Sequence, residues 1–363
     1  MLASENENYK RNLFLDNLTI TGKAPSRRRP RSSSAKADVP LSDARLGQLI
    51  RVLQENAMLV LSGTKLGAEI GTRRSEVWRL VQQLRRLGVE IAGHPASGYQ
   101  LTKVPDLLLA DVLAPLLQGT RFSAVKHSFK VGSTNALAMS AAAGGAAEGT
   151  VFVAEEQTAG RGRGGHSWHS ERSSGIYCSV VLRPQFPPAD AILISLSAGL
   201  AVAAATAEVT GVSADLRWPN DVLARGKKFC GILTELNAEP TRVRHLVVGI
   251  GLNVNQASFP AEIARSATSL RIETGREWSR IGLMAALLKS LDREYALLLA
   301  EPRDSLLRRF EQASSSAREQ RVHVDENGGY EGVTAGLDDR GFLRVRTPEG
   351  VRTVLSGGVR PLD

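Results

Sequence analysis

The chain has 363 residues, 42% of them hydrophobic and 23% charged, as expected of a globular protein long enough for two or three domains and a sizeable core. Two cysteines, Cys178 and Cys230, exclude a disulfide framework and a cysteine-based zinc site, and no stretch approaches the roughly 18 apolar residues of a membrane span. The formal charge of +9 is lopsided: residues 1–103 carry 17 Lys and Arg against 9 Asp and Glu, and the remainder carries 29 against 28.

A basic front beside a neutral remainder points to an anionic partner, nucleic acid first, although solubility alone also accounts for surplus lysine and arginine. Within residues 1–40, "NLFLDNLTI" is too short for a signal-peptide core and is broken by Asp16. The following "APSRRRPRSSSAKAD" has the Arg/Ser bias of a transit peptide without an amphipathic apolar face. The expectation is a disordered basic arm on a protein of the reducing cytoplasm.

From Asp43, a plausible N-cap, "DARLGQLIRVLQE" spaces Leu46, Leu49, Ile50 and Leu53 at helical intervals. A short helix from Ser62–Gly63 to Ile70 ends at Gly71, and a second runs from about Arg74 to Leu87 with Val77, Leu80, Val81, Leu84 and Leu87 on one face. Two short helices about a glycine turn make a helix-turn-helix. "GVEIAGHPASGYQL" then alternates like two strands around "HPASG", a β-wing. Residues 41–103 therefore read as a winged helix-turn-helix DNA-binding domain, with Ser62, Thr64, Arg73, Arg74, Ser75, Glu76 and Arg79 placed to meet DNA. A structural three-helix bundle with a solvated charged face is the plainer alternative.

Residues 104–316 alternate strand-like runs ("TVFVAEEQ", "GIYCSVVL", "CGILTEL", "HLVVGIGLNV") with helical ones ("TNALAMSAAA", "AILISLSAGLAVAAATAEVT", "IGLMAALLKSLDREYALLLA"), the pattern of a mixed α/β domain. Residues 317–363 change character again. Short strands divided by "NGG", "DDRG" and "PEG" turns describe a small β-barrel. No internal repeat is evident.

Several polar, glycine-punctuated stretches flank those strands. "QTAGRGRGGHSWHS" (157–170) has almost nothing to bury. It fits a solvated surface loop, an RGG-like RNA-binding segment, or a cradle whose glycines let backbone N–H groups approach an anion that its arginines grip. Interleaved aromatics and repeats, which the RNA reading needs, are missing. In "GSTN" (132–135), Ser133, Thr134 and Asn135 offer short donors and acceptors just before a helix, for a small polar head group or merely for the helix cap. Lys228, beside "CGIL", is anchored at a buried strand and suited to holding a carboxylate or phosphate. "RWPND" reads as a rigid turn presenting Asn220 and Asp221 to a metal or ribose, or simply to solvent.

The order STN, QTAGRGRG–GxxW, WPND, K–x–x–GIL–x–E, GIGLNV resembles the biotin–protein ligase family, in its bifunctional form that is also the biotin operon repressor. The resemblance covers roughly residues 43–363. It implies a multidomain α+β fold: a winged helix in front, a mixed α/β ligase domain over 104–316 and an SH3-like barrel over 317–363. It further implies an ATP- and Mg²⁺-dependent ligase that forms biotinyl-5′-AMP and passes biotin to a lysine of a biotin carboxyl carrier protein, the acetyl-CoA carboxylase subunit. Catalysis would fall to Lys228, Arg161 and Arg163. Biotin would meet Ser133, Thr134, Asn135, Gln157, Gly160, Arg161, Gly162, Arg163, Lys228, Gly231 and Ile232. The adenylate would meet Arg161, Arg163, Trp168, Asn220, Asp221, Lys228, Gly249, Gly251 and Asn253, with Asp221 on the metal side. The glycine run would be the loop that closes over the intermediate. Operator DNA, a ligand-bound homodimer and no membrane complete the expectation.

The chemistry fits the residues independently of the resemblance. Joining a carboxylate to a triphosphate is uphill unless charge is neutralised, and two arginines, a lysine and Mg²⁺ supply that. No Ser–His or Cys–His nucleophilic set is present. Arg217 stands where the family usually has lysine, and Gly164 where a third basic residue often occurs. His166 and His169, a lone HxxH-like pair, fit a surface position better than a metal site. A transcription factor that only senses a small ligand is the competing class, but it would not need the phosphate grip. A ligase without repressor activity is the live alternative.

Overall fold

The computed structural model describes residues 41–103, 106–326, 328–355 and 358–362; the arm expected over residues 1–40 lies outside them. The front unit is built from helices α1 (Leu41–Glu55), α2 (Gly63–Glu69) and α3 (Arg74–Arg86), followed by the antiparallel hairpin β1 (Ile91–His94) and β2 (Gly98–Leu101). Helix α1 begins two residues ahead of Asp43, because apolar spacing marks which face is buried and not where the helix starts. The Ser62 hydroxyl caps α2 by accepting from the Lys65 N–H at 3.1 Å.

The turn between α2 and α3 is tight because position 67 has no side chain. The Thr72 N–H donates to the Gly67 carbonyl at 2.7 Å, and a Cβ on Gly67 would stand 2.6 Å from the Thr72 oxygen. Leu46, Leu49, Ile50 and Leu53 of α1 pack on Leu66 and on Val77, Leu80, Val81 and Leu84 of α3. This core also takes in Leu107, Leu109 and Phe129 from the body, so the two parts share buried surface.

The body is a seven-stranded mixed sheet in the order β3-β4-β5-β9-β8-β7-β6, parallel only between β3 and β4. Its strands are β3 (Val125–Ser128), β4 (Val151–Ala154), β5 (Gly175–Leu182), β6 (Asp215–Arg217), β7 (Asp221–Ala224), β8 (Lys227–Ala238) and β9 (Val243–Asn253). Its longer helices are α5 (Thr134–Ala143), α6 (Ala191–Thr210), α8 (Arg280–Ala300) and α9 (Arg303–Gln312), and its short ones α4 (Ala110–Leu116) and α7 (Leu270–Thr274). Alternation along the central strands splits the layers. Cys178, Val180, Val248, Ile250 and Ile232 join α6 and α8 in the main core, whereas Val181, Val247 and Phe152 meet Ala138 and Ala142 of α5 on the opposite face.

Helix α6, with the short turn before it, is long and apolar enough by composition to cross a membrane, contrary to the sequence expectation, because its many Ala, Gly and Ser residues interrupt apolar runs without adding polarity. In the fold it packs between β8 and α8 as a core helix. Strand β4 is shorter than "TVFVAEEQ" suggests. It stops at Ala154; the next residue, Glu155, still donates its N–H to the Ser128 carbonyl of β3, and its side chain enters a buried ion network with Arg280.

The last segment forms a five-stranded sheet in the order β13-β12-β11-β10-β14. These strands are β10 (Arg318–Val324), β11 (Tyr330–Leu337), β12 (Leu343–Thr347), β13 (Gly350–Val354) and β14 (Val359–Pro361). Its Phe342, Leu343 and Val345 share the main core with Leu306, Leu307 and Phe310 of α9, and the Trp218 indole N–H donates to the Gly341 carbonyl at 2.9 Å.

Candidate active site

Register creates an open floor on the α5 face of the sheet. Tyr177, Gly251, Gly231 and Asp221 lie abreast on β5, β9, β8 and β7, and Ser179, Gly249 and Leu233 form the next row on the first three of these strands. Where side chains would fill the sheet there are glycines, and each is required. A Cβ on Gly249 would stand 2.0 Å from Asn135 Oδ1, one on Gly251 2.5 Å from the Trp168 ring, and one on Gly231 2.8 Å from it. Above this floor lies an open cleft with both polar and apolar lining residues.

Ser133, Thr134, Asn135, Gln157, Arg161, Gly162, Arg163, Trp168, Asn220, Lys228, Gly231, Ile232, Gly249 and Gly251 all line the cleft. Ser133 also caps α5 through the Ala136 N–H, so the cap reading and the pocket reading hold together. Gln157 Oε1 accepts from the Thr134 N–H at 2.9 Å and from its hydroxyl at 3.1 Å, while Gln157 Nε2 donates to Ser170 Oγ at 2.8 Å. Asn135 donates to Glu235 at 2.9 Å and accepts from the Ser179 hydroxyl at 2.6 Å. Asn220 donates to the Ile232 carbonyl at 2.8 Å, pinning the "WPND" turn to β8.

Lys228 faces the cleft because of a bulge. Residues three apart in an unbroken strand point to opposite faces, but the β7–β8 register shifts by one between Val222/Cys230 and Leu223/Lys228. The extra residue, Phe229, turns Lys228 to the Gly231 side, with Nζ 3.1 Å from where a Gly231 Cβ would be. Its ammonium is 2.6 Å from Asp221 Oδ1 and 5.4 Å from the centre of the Trp168 ring.

The loop from Gly160 is a small closed hairpin. Trp168 N–H donates to the Gly160 carbonyl at 2.9 Å and Gly162 N–H to the His166 carbonyl at 2.6 Å, with Gly164 and Gly165 at positive φ in its tip. Gly160 lies behind the cleft, where a Cβ would meet the Trp168 carbonyl at 2.6 Å. Burial lowers the Arg163 pKa and the nearby Asp221 charge raises it, with a net fall; a guanidinium keeps its charge regardless.

Asn253 is not at the cleft. It is buried, donates to the Thr268 carbonyl at 3.1 Å and accepts from Gln256 at 3.3 Å. His166 and His169 are exposed, and no cluster of three or more metal-ligating side chains forms among the described residues. Arg217 ends β6, outside the cleft, with its Nε buried.

Sequence reading missed Ser179, and it marked Glu235 only as the last residue of K–x–x–GIL–x–E, without a role. The signal for Ser179 was present: it is a polar residue inside an otherwise apolar run, "GIYCSVVL". Cys178, between Tyr177 and Ser179 on β5, turns its thiol into the main core on the opposite face, where burial pushes it up to about 12.

The loop stem rests on a buried ion network. Glu155 pairs with Arg280 at 2.8 Å, both side chains 1% exposed, and accepts from the Leu108 N–H at 2.8 Å and the Ser173 hydroxyl at 3.1 Å. The Ser173 N–H also donates to the Glu155 carbonyl at 2.9 Å, so both ends of the loop meet at one residue. Burial alone would raise the Glu155 pKa, but Arg280, His127 and the Leu108 N–H outweigh it and bring it from 4.5 to about 2. Next to this stem, Arg172 donates to the carbonyl of Arg86, the last residue of α3.

Two family models match the chain: the biotin/lipoate A/B protein ligase family over residues 132–253 and the biotin protein ligase C-terminal domain over residues 319–359. A bifunctional ligase/repressor BirA of Bacillus subtilis is 33% identical over 314 residues, covering 86% of this chain and 97% of that protein. A biotin–[acetyl-CoA-carboxylase] ligase of Mycobacterium tuberculosis is 39% identical over 233 residues, 62% of this chain and 84% of that protein. Among solved structures, biotin protein ligase from Aquifex aeolicus in complex with biotin and ATP superposes with a TM-score of 0.58 at 31% identity, over 66% of this chain and 99% of that one.

Proposed function

The chain belongs to the biotin protein ligase family, and on that footing we propose that it is a bifunctional protein, a biotin–[biotin carboxyl carrier protein] ligase and a biotinyl-AMP-responsive repressor of biotin synthesis genes. The observation that carries the ligase is the placement of Lys228, Arg161 and Arg163 around one cleft floored by Gly231, Gly249 and Gly251. A carboxylate oxygen of biotin attacks the α-phosphorus of ATP, pyrophosphate leaves, and biotinyl-5′-AMP remains. The amine of a carrier lysine then attacks the acyl carbon, AMP leaves, and an amide forms.

Both reactants of the first step are anions, so the three cations lower its barrier by neutralising charge as it is brought together. Ser133, Thr134, Asn135 and Gln157 hold the biotin ring end, and Trp168, Gly249, Gly251 and Asn220 the adenylate end. Asp221 is the carboxylate on the nucleotide side. One carboxylate plus substrate phosphate oxygens suits Mg²⁺, which when bound would offset phosphate charge. Lys228 leaves Asp221 for the reacting anions. Exclusion of water by the 160–168 loop protects the acyl-phosphate. The test is incubation with ATP, Mg²⁺, biotin and a carrier domain: the carrier gains one biotinyl group by mass, and an unchanged mass refutes the ligase.

For the repressor, residues 41–103 act as the winged helix-turn-helix, residues 104–316 as the ligase domain and 317–363 as an SH3-like barrel, with 1–40 a basic arm. The support is charge and alignment. Residues 41–103 are basic, and a match of 314 residues to a ligase/repressor is longer than the 260 residues from 104 onwards. A palindromic operator requires a two-fold dimer, formed in the ligand-bound state through the central sheet. A second reading, in which the front unit is structural or regulates turnover, has its own support in the Arg172–Arg86 contact and in the core that the front unit shares with Leu107, Leu109 and Phe129 of the body. Footprinting on the promoter of the host's biotin synthesis genes, with and without biotin plus ATP, separates the two. A ligand-dependent footprint favours repression, and none at low salt from active ligase favours the second.

A further inference from the structure

Helix α3 keeps one large aromatic uncovered. Trp78 is 58% exposed, whereas Trp218 is buried and Trp168 and Trp278 are half-buried. The buried stripe of α3 is Val77, Leu80, Val81 and Leu84, so at 3.6 residues per turn the solvent side carries Trp78 together with Ser75, Arg79, Gln82 and Arg86. Among the described residues Trp78 makes no hydrogen bond or ring contact. Arg79 is fixed in place by Glu76 at 2.5 Å, and the stem of Arg74 lies against the start of α2, 3.2 Å from where a Gly63 Cβ would be.

An indole set among arginines faces a partner that is anionic at its rim and apolar within. The major groove of duplex DNA has that chemistry, with phosphates along its edges and thymine methyl groups on its floor. Trp78 and Gln82 are four residues apart, about 6 Å along one face, close to two base-pair rises of about 3.4 Å. A glutamine amide pairs with the N6 and N7 edge of adenine.

We propose that Trp78 is a base-reading residue, its indole covering a thymine methyl while Gln82 pairs with adenine, so that α3 selects A·T pairs within its half-site. This rests on the DNA-binding reading above and adds what that reading lacks, the residues that choose the sequence.

The test uses full-length protein with biotin, ATP and Mg²⁺ to select binding sites from a random-sequence duplex library. Each thymine of the enriched site is then replaced by deoxyuridine, which removes only the methyl. One replacement weakens wild-type binding several-fold. Trp78→Ala weakens binding to the intact site by about 10- to 100-fold and is indifferent to that replacement. Its salt dependence is unchanged because its phosphate contacts persist, and its carrier biotinylation is normal, showing that it folds. Equal affinity of Trp78→Ala and wild type, or equal sensitivity to the missing methyl, overturns the assignment and leaves DNA binding standing. Weaker binding accompanied by a shift from dimer to monomer assigns the indole to a contact between copies and also overturns it. If wild-type protein enriches no sequence, the DNA-binding reading fails and this one with it.

Discussion

The cleft and the outer face of α3 are both cationic, yet they are specified by different means. The cleft is concave and set by backbone: three glycines, a bulge at Phe229 and a chain of hydrogen bonds from Asn135 to Ser170 leave no slack. The α3 face is convex, and its side chains stand in solvent on a helix held from behind by Val77, Leu80, Val81 and Leu84. A site fixed by backbone tolerates little change and keeps one chemistry. A face made of exposed side chains can be rewritten without disturbing the fold, as the proposed reading of DNA sequence would require.

Removing the central cation sharpens that contrast most. Lys228→Ala slows biotinyl-AMP formation by about 10²–10³-fold while the melting temperature stays close to wild type. A folded variant working at the wild-type rate would remove this lysine from the chemistry.

Acid acts on the cleft side through Glu155. Its folded pKa of about 2 lies below the ordinary 4.5, so its contribution is complete above 4.5 and is lost as pH falls through 4.5 towards 2. That contribution is on the order of 3 kcal/mol. Glu155→Gln flattens the acid limb of the stability curve, measured by urea unfolding between pH 5 and pH 3 (about the range where the carboxylate protonates when unfolded). Identical acid limbs would mean that another carboxylate carries the effect.

One added methyl comes next. Gly249→Ala puts a carbon 2.0 Å from Asn135 Oδ1 and costs about 1–3 kcal/mol, whereas Ser75→Ala on the α3 face stays within about 0.5 kcal/mol. Thermal melts of both variants measure the contrast, and equal losses would abolish it.

The smallest effect is electrostatic. Arg73→Ala with Arg74→Ala makes the log–log salt slope of DNA binding shallower by about 0.9 for each phosphate no longer gripped, with carrier biotinylation unchanged. A steep slope retained in the double variant would place the phosphate-binding side chains elsewhere.

Much of this was legible beforehand because function had left composition marks. The strands and helices around the cleft begin and end close to where apolar runs do, as in Gly175–Leu182 and Thr134–Ala143. The glycine-rich stretches identified all but a few cleft residues. What escaped was what the third dimension creates. Nothing in "GKKFCGIL" announces that Phe229 bulges and swings Lys228 to the glycine side. Asn253 shares its stretch with Gly249 and Gly251 but is drawn away by Thr268 and Gln256. Ser179 was hidden in an apolar run, where a polar residue marks a partner that only folding supplies, and Glu235 stood in a quoted pattern without the Asn135 partner that explains it.

The clasp at Glu155 also bears on how tightly the ligase holds its intermediate. With residues 155 and 173 drawn together by the Ser173 bonds and the carboxylate held by Arg280, the loop between them is a tethered cycle and not a free strand. Much of the entropy that ordering such a segment would forfeit is already spent when the protein folds. If the loop binds the adenylate as proposed, less of it is left to immobilise, and more of the contact energy would appear as residence time of the intermediate.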